Sequence, residues 1–257
     1  MGTVPEVLER QQLEPERPRV PWSLTDMALA TTGGLVLAFG LVVLTALSFR
    51  AFRAVPPAGV QTLLFSVYTY GALALSVWYF VLRRHGASWG ALGFGHARGG
   101  GVLATLGAVV GVVPVVLVGL LMVEALVAAL LAVLLGDFTN PQQEAIAPNG
   151  VFAFRDYVPL LIAAAVVAPV VEELLFRGML YRYLRSRMGM WPAVLLSAAL
   201  FAVAHVIPVL LPVLFITGIA LALLAEYSRS IYPSIALHAL HNAVALTALY
   251  YGLQATG

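Results

Sequence analysis

The 257-residue chain contains no cysteine, no lysine and few charged side chains. The absence of cysteine excludes disulfide bonds and cysteine-based metal or redox centres. Only 10% of the residues are charged, against about 25% in an average soluble domain, and 61% are hydrophobic. The net charge of +2 includes no basic run of the kind that binds nucleic acid. This composition predicts a polytopic membrane protein whose surroundings are the lipid bilayer and not nucleic acid.

Seven apolar runs are candidates for crossing about 30 Å of hydrocarbon, which takes roughly 20 helical residues. They lie near residues 25–48, 59–82, 102–135, 158–180, 191–207, 209–227 and 232–252. The third run contains Pro114 and is too long for one straight span, so it predicts a kinked or tilted helix, or two helices. Ile207-Pro208 separates the fifth and sixth runs and predicts a tight helical hairpin. We therefore expect an all-α fold, a membrane bundle of seven to eight transmembrane helices.

The polar, proline-containing residues 1–21 predict a flexible tail ahead of one transmembrane domain at residues 22–257. No basic segment with a short apolar stretch and a small-residue cleavage site precedes the first run, so we expect that run to remain as an anchor. No internal repeat and no second soluble domain is visible in the sequence.

Arginines in the loops predict the orientation. Two loops, after the second and fourth runs, carry Arg83, Arg84, Arg98, Arg182, Arg185 and Arg187. The charged residues of the segment between them, residues 136–157, are mainly acidic. Basic loops stay in the cytoplasm, so seven spans place both loops and the amino terminus inside, with Arg50 and Arg53 outside against the rule. We expect a multi-pass protein of a bacterial inner membrane.

Ionisable side chains inside the apolar runs are the main functional signal, because a charge at the bilayer centre costs roughly 2.5–3.5 kcal/mol. They are Glu124, Glu172, Glu173, Arg177, His205, His238 and His241. Glu173 precedes Arg177 by four residues, the favourable order for an ion pair on a helix. Glu172 is rotated by about 100° from Glu173, so we expect it to face a cavity and exchange a proton. The alternative is a buried ion network that only joins helices.

Histidines and an asparagine add to this signal in the fifth and seventh runs. His205 ends the segment FAVAH, and His238 and Asn242 lie four residues apart in HALHN, with His241 close to their face. Each group alone is typical of helix packing, but polar groups in three separate runs indicate one shared site. Glu124 lies in LMVEALV without a local partner, which favours a structural or access-path role.

These side chains suit hydrolysis of a peptide bond. Glu172 would act as general base toward water, and His205 would orient that water or share its proton. His238 and Asn242 would donate hydrogen bonds to the developing oxyanion. Glu172, His205 and His238 are equally a possible zinc-ligand set, although the H-E-x-x-H signature is absent. The residue pattern leaves a cofactor-free and a zinc-dependent mechanism open.

The segments EELLFR, FAVAH and HALHN read as E-E-x-x-x-R, F-x-x-x-H and H-x-x-x-N, in that order. Together they resemble the CPBP family, the CAAX-protease and bacteriocin-processing (Abi) intramembrane proteases, which include the type II CAAX prenyl endopeptidases. The resemblance covers residues 158–250, the expected catalytic core. It implies a glutamate-dependent endopeptidase acting on a membrane-associated protein or peptide, although members of this family were long described as metalloproteases. Carried over by position, it makes Glu172, His205, His238 and Asn242 catalytic and Glu173 and Arg177 supporting.

Two other classes of protein remain as alternatives. Intramembrane carboxylates and histidines also relay protons in transporters, but the internal repeats common in transporters are missing here. A non-catalytic immunity protein would keep the pocket without the activity. Because all motif positions are intact, proteolysis is the favoured interpretation. Proteolysis requires the fifth helix to be tilted, to be displaced or to begin deeper than its apolar run suggests. Otherwise His205 lies far from Glu172 and His238.

Overall fold

The computed structural model describes residues 19–53, 55–97, 100–136, 144, 146–147 and 152–256. Most of the predicted tail, and Arg98 among the predicted loop arginines, lie outside these residues. Within them the chain is helical and contains no strand, which confirms the all-α prediction.

Seven long helices account for the predicted apolar runs in the described part of the chain. They are α1 (Leu24–Phe52), α2 (Ala58–Arg83), α3 (Gly101–Leu134), α4 (Phe154–Arg187), α5 (Met190–Ala204), α6 (Leu211–Ser228) and α7 (Tyr232–Thr256). The third run forms one continuous helix and is not divided into two.

Five helical segments in the described residues are long and apolar enough to cross a membrane: α1, α2, α3, α4 and α6 with its preceding turn at Pro208–Leu210. The helix α5 has 15 residues, about 22 Å at ~1.5 Å per residue, and α7 is not among the five. The structure therefore supports an integral membrane protein, but the predicted seven to eight transmembrane helices are not confirmed.

One proline in α3 and one in α4 follow wide, π-helical turns. Pro114 comes just after the turn Ala108–Val112, and Pro169 just after the turn Ala163–Val167. A proline ring clashes with the carbonyl four residues earlier, and in both helices that carbonyl lies inside the wide turn. The wider turn relieves the clash, so both helices continue past their prolines.

Contacts between helix ends show that the helices alternate in direction. At one end, Asp26 at the start of α1 accepts a 3.3 Å hydrogen bond from Arg84, which follows α2. At the opposite end, Asp156 near the start of α4 accepts a 2.7 Å hydrogen bond from the backbone N–H of Gly59 near the start of α2. We call the first end, where α2, α4 and α6 finish, the basic end, because it carries Arg83, Arg84, Arg182, Arg185 and Arg187.

The helices α5 and α6 form the tight hairpin predicted at Ile207-Pro208. Helix α5 ends at Ala204, and α6 begins at Leu211 after a single short turn. A Cβ atom on Gly218 of α6 would lie only 2.9 Å from the Cα atom of Ala198 in α5. The absence of a side chain at Gly218 therefore allows the close approach of the two helices.

Candidate active site

A cavity of about 620 Å³ lies between α3, α4, α5, α6 and α7. Its polar lining consists of Glu124, Glu172, His205, Thr217, His238, His241 and Asn242. The structure thus brings the four residues expected to be catalytic to one cavity, although they come from three separate helices. Glu173 and Arg177 lie behind its wall and are fully buried.

The depth of His205 follows from where α4 ends. We expected α4 to stop near residue 180, but it continues to Arg187, and α5 starts at Met190 after a two-residue link. Glu172 lies fifteen residues before the end of α4, and His205 lies fifteen residues after the start of α5. Because the two helices are antiparallel neighbours, equal distances from the link bring the two residues to one level. The longer α4 therefore carries the start of α5 further toward the basic end than the apolar runs suggested.

Glu173 and Arg177 form the ion pair expected from their spacing, with Nη1 of Arg177 2.8 Å from Oε1 of Glu173. Nη2 of the same guanidinium donates to the carbonyl of Gly218 at 3.0 Å. The guanidinium carbon also lies 4.4 Å from the ring centre of Phe201, a cation–π contact. The second carboxylate oxygen of Glu173 accepts a 2.5 Å hydrogen bond from Ser234. The buried pair thus joins α4 to α5, α6 and α7.

Glu173 also determines which nitrogen of His238 carries a proton. Nδ1 of His238 lies 2.9 Å from Oε1 of Glu173, and a carboxylate paired with arginine can only accept a hydrogen bond. Nδ1 is therefore the protonated nitrogen, assigned from the network. In neutral His238, Nε2 is then an acceptor, and it lies 3.6 Å from Oε2 of Glu172. His238 can donate to an oxyanion through Nε2 only as an imidazolium ion, a condition that spacing did not reveal.

Glu172 has a partner that the sequence interpretation missed. The hydroxyl of Tyr70 in α2 donates a hydrogen bond to Oε1 of Glu172. The other oxygen, Oε2, is the one nearer His238. Tyrosine in an apolar run is common in membrane helices, and nothing local marks Tyr70 as different from Tyr68, so spacing offered no signal.

His205 and Asn242 are each fixed by one backbone carbonyl. Nδ1 of His205 donates to the carbonyl of Phe201 at 2.8 Å, which leaves Nε2 of the neutral ring as an acceptor. Nδ2 of Asn242 donates to the carbonyl of Ala164 at 2.9 Å. Ala164 lies in the wide turn Ala163–Val167 of α4. The amide of Asn242 keeps a second N–H for another acceptor.

Glu124 has partners from two other helices, although none was visible in its own run. Oε2 of Glu124 lies 2.7 Å from Nε2 of His241 in α7, and Oε1 accepts a 2.7 Å hydrogen bond from Thr217 in α6. The three side chains form a second polar cluster in the cavity wall. This cluster satisfies a carboxyl group that would otherwise be costly in the bilayer.

Glu172, His205 and His238 are also the possible zinc ligands of the alternative mechanism. In the described ranges, no group of three or more histidine, aspartate or glutamate side chains is arranged to hold a metal ion. We therefore derive no chemical step through a metal.

The described residues form an all-helical bundle with a polar cavity, and five of the helices are long and apolar enough to cross a membrane. Residues 154–244 match the sequence model of the family described as type II CAAX prenyl endopeptidase Rce1-like. The match runs from the start of α4 into α7 and contains all three motifs, so it confirms the family resemblance over this segment. No curated protein and no solved structure matches the chain. Tyr70 and Glu124 lie outside the matched segment.

Proposed function

We propose that the protein is an intramembrane endopeptidase that hydrolyses a peptide bond of a membrane-associated protein or peptide in a glutamate-dependent reaction. One observation carries this proposal: Glu172, His205, His238 and Asn242 all line the same cavity. The family match over α4 to α7 supports the same class of enzyme.

In the proposed reaction, Glu172 is the general base. Oε2 of Glu172 accepts a proton from a water molecule that Nε2 of His205 helps to orient, and the resulting hydroxide attacks the peptide carbonyl. The proton then passes from Glu172 to the leaving amine as the C–N bond breaks. No serine or cysteine nucleophile takes part.

The oxyanion of the tetrahedral intermediate would lie against α7. Asn242 donates its second amide N–H, and His238 donates through Nε2 when it is protonated. Glu173 orients the imidazole for this contact, because its carboxylate accepts from Nδ1. Arg177 holds Glu173 in place by its direct ion pair. In this scheme, Glu173 and Arg177 support the reaction without touching the substrate.

The cavity lining favours a substrate with apolar side chains next to the cleaved bond. Outside its polar group, the cavity is lined mainly by aliphatic residues, among them Leu121, Val213, Leu214, Leu246 and Leu249. Such a lining binds apolar side chains by removing them from water. A secreted leader peptide, a bacteriocin or a membrane-anchored carboxyl tail would satisfy this requirement.

We further propose that all seven helices cross a bacterial inner membrane, with the amino terminus in the cytoplasm. The alternating helix directions support seven crossings. The arginines of the basic end support a cytoplasmic location for that end, which also holds the start of α1. The short helix α5 would cross where the bilayer is thinned or where its ends are covered by neighbouring helices.

The test is Glu172→Gln, which keeps the shape of the side chain and removes the base. Purified protein in proteoliposomes is incubated with solubilised membrane proteins, and new peptide termini are counted by mass spectrometry. We expect new termini with the wild type. With Glu172→Gln, their number should fall by at least about 100-fold, because the general base is missing. The matched control is Glu144→Gln, since Glu144 is an exposed carboxylate. Equal termini from Glu172→Gln and wild type would remove Glu172 from the mechanism.

A further inference from the structure

We infer that Tyr70 is a positioning residue for Glu172, so that α2, outside the matched segment, contributes to the active site. This inference rests on the proposed function of Glu172 as the base. It starts from the hydrogen bond that the Tyr70 hydroxyl donates to Oε1 of Glu172. In the described residues, this is the one direct hydrogen bond to the Glu172 carboxylate, which otherwise has only its longer contact with His238.

The bond fixes one carboxylate oxygen and leaves the other for water. Oε2 of Glu172 lies 3.6 Å from Nε2 of His238, beyond the length of a normal hydrogen bond. The imidazole of His238 is in turn fixed from behind by Glu173. Two groups outside the cavity, Tyr70 and Glu173, thus hold the base and the imidazole slightly apart. In that arrangement, Oε2 of Glu172 stays open to the water and Nε2 of His238 to the oxyanion.

Without the Tyr70 hydroxyl, the carboxylate of Glu172 is free to rotate about its terminal torsion, which has a broad energy minimum. Rotation toward His238 closes the 3.6 Å separation to a direct hydrogen bond from Nε2–H of the imidazolium form. That contact occupies the donor that the oxyanion needs and the oxygen that would take a proton from water. The expected consequence is a slower chemical step with little change in substrate binding, because Tyr70 does not line the cavity.

Helix α2 is suited to hold this hydroxyl in a fixed place. Toward the far end, the N–H of Gly59 is bonded to Asp156 of α4 at 2.7 Å. Toward the basic end, Val77 and Val81 of α2 belong to the same buried apolar cluster as Leu174 of α4. Tyr70 lies between these two attachments, on a helix and not on a loop, so its hydroxyl position is set by the packing of α2 on α4.

The alternative is a purely structural role, in which Tyr70 only packs α2 against α4. Tyr70→Phe separates the two interpretations, because it keeps the ring and its packing and removes the hydroxyl alone. Tyr68→Phe is the matched control: it makes the same chemical change two residues earlier, at a hydroxyl with no hydrogen bond to another described residue.

The activity measurement uses the purified full chain and a quenched fluorescent peptide copied from a cleavage site found in the terminus assay. We expect Tyr70→Phe to lower kcat by roughly ten- to a hundredfold, the cost of a misplaced catalytic group, with KM within about twofold of wild type. Tyr68→Phe should keep both constants. Tyr70→Phe with the kcat of wild type, or with an increase in KM alone, overturns the inference.

A stability measurement tests the bond independently of activity. Tyr70→Phe should lower Tm in detergent by roughly 3 °C or more in the wild type, and should not lower it in a Glu172→Ala background, where the acceptor is gone. An equal shift in both backgrounds overturns the inference.

Failure of the proposed function gives a different result. If Glu172→Gln is active, Glu172 is not the base, whatever the activity of Tyr70→Phe. An inactive Glu172→Gln with a fully active Tyr70→Phe overturns the role of Tyr70 alone.

Discussion

Replacement of Arg177 by methionine removes one partner of a fully buried ion pair. Methionine keeps much of the apolar volume but leaves the carboxylate of Glu173 without its guanidinium, at a site with no solvent exposure. The carbonyl of Gly218 loses its 3.0 Å donor, and the cation–π contact with Phe201 is lost as well. Ser234 and His238 remain as partners of Glu173 but bring no permanent charge.

Removing one partner of a buried ion pair costs about 3–5 kcal/mol, because it leaves an uncompensated charge in the interior. For a chain of this size, each kcal/mol lowers Tm by roughly 2–4 °C, so we expect a decrease of roughly 6–20 °C. The assay is thermal unfolding of the purified protein in detergent, followed by circular dichroism. Activity should fall as well, because Glu173 orients His238.

The control for Arg177→Met is Arg187→Met in the same helix, at an exposed arginine. Its expected cost is within about 0.5 kcal/mol, as at other surface positions. The double variant Arg177→Met with Glu173→Gln should recover part of the lost stability, because the stranded charge is gone. If Arg177→Met lowers Tm no more than Arg187→Met does, the pair does not carry the stability assigned to it.

Two further predictions concern helix packing and the reaction. Gly218→Ala should destabilise the protein by about 1–3 kcal/mol, since its Cβ would lie 2.9 Å from the Cα of Ala198. Gly119→Ala, with open space around its Cβ, should leave Tm unchanged or raise it; equal shifts in thermal unfolding would refute the close packing. A zinc chelator should leave cleavage of the fluorescent peptide unchanged. Loss of activity that added zinc restores would instead favour the zinc-dependent alternative.

The helices were predictable from the sequence because apolar runs and their polar interruptions are local features. The end of α4 was not, since Arg182 and Arg185 look like loop residues in a hydropathy pattern. In the structure they stay helical because distant groups satisfy them: Arg185 bonds Glu226 at 3.0 Å, and Arg182 donates to the carbonyl of Ala91 at 3.4 Å. That extension is what brings His205 level with Glu172.

The candidate site was also predictable only in part. The Glu173–Arg177 pair follows from a spacing of four residues within one helix, so the sequence predicts it directly. The partner of Glu172 does not follow, because Tyr70 lies 102 positions away on a helix whose neighbours no spacing reveals. The pairing of Glu124 with His241 is equally distant, at 117 positions. Contacts between helices depend on how the bundle packs, and the motifs describe only its matched part.

Hydrolysis by this protein requires that polar side chains from separate helices meet around a cavity that water enters. Because the chain has no cysteine, a single introduced thiol reports on its own surroundings. His205→Cys places a thiol in the cavity wall, and Val203→Cys places one on the outer surface of the same helix, where the side chain is 61% exposed and would face lipid. In proteoliposomes, a small charged methanethiosulfonate should modify the first and spare the second. If His205→Cys is as unreactive as Val203→Cys, water does not reach the site and hydrolysis there is contradicted.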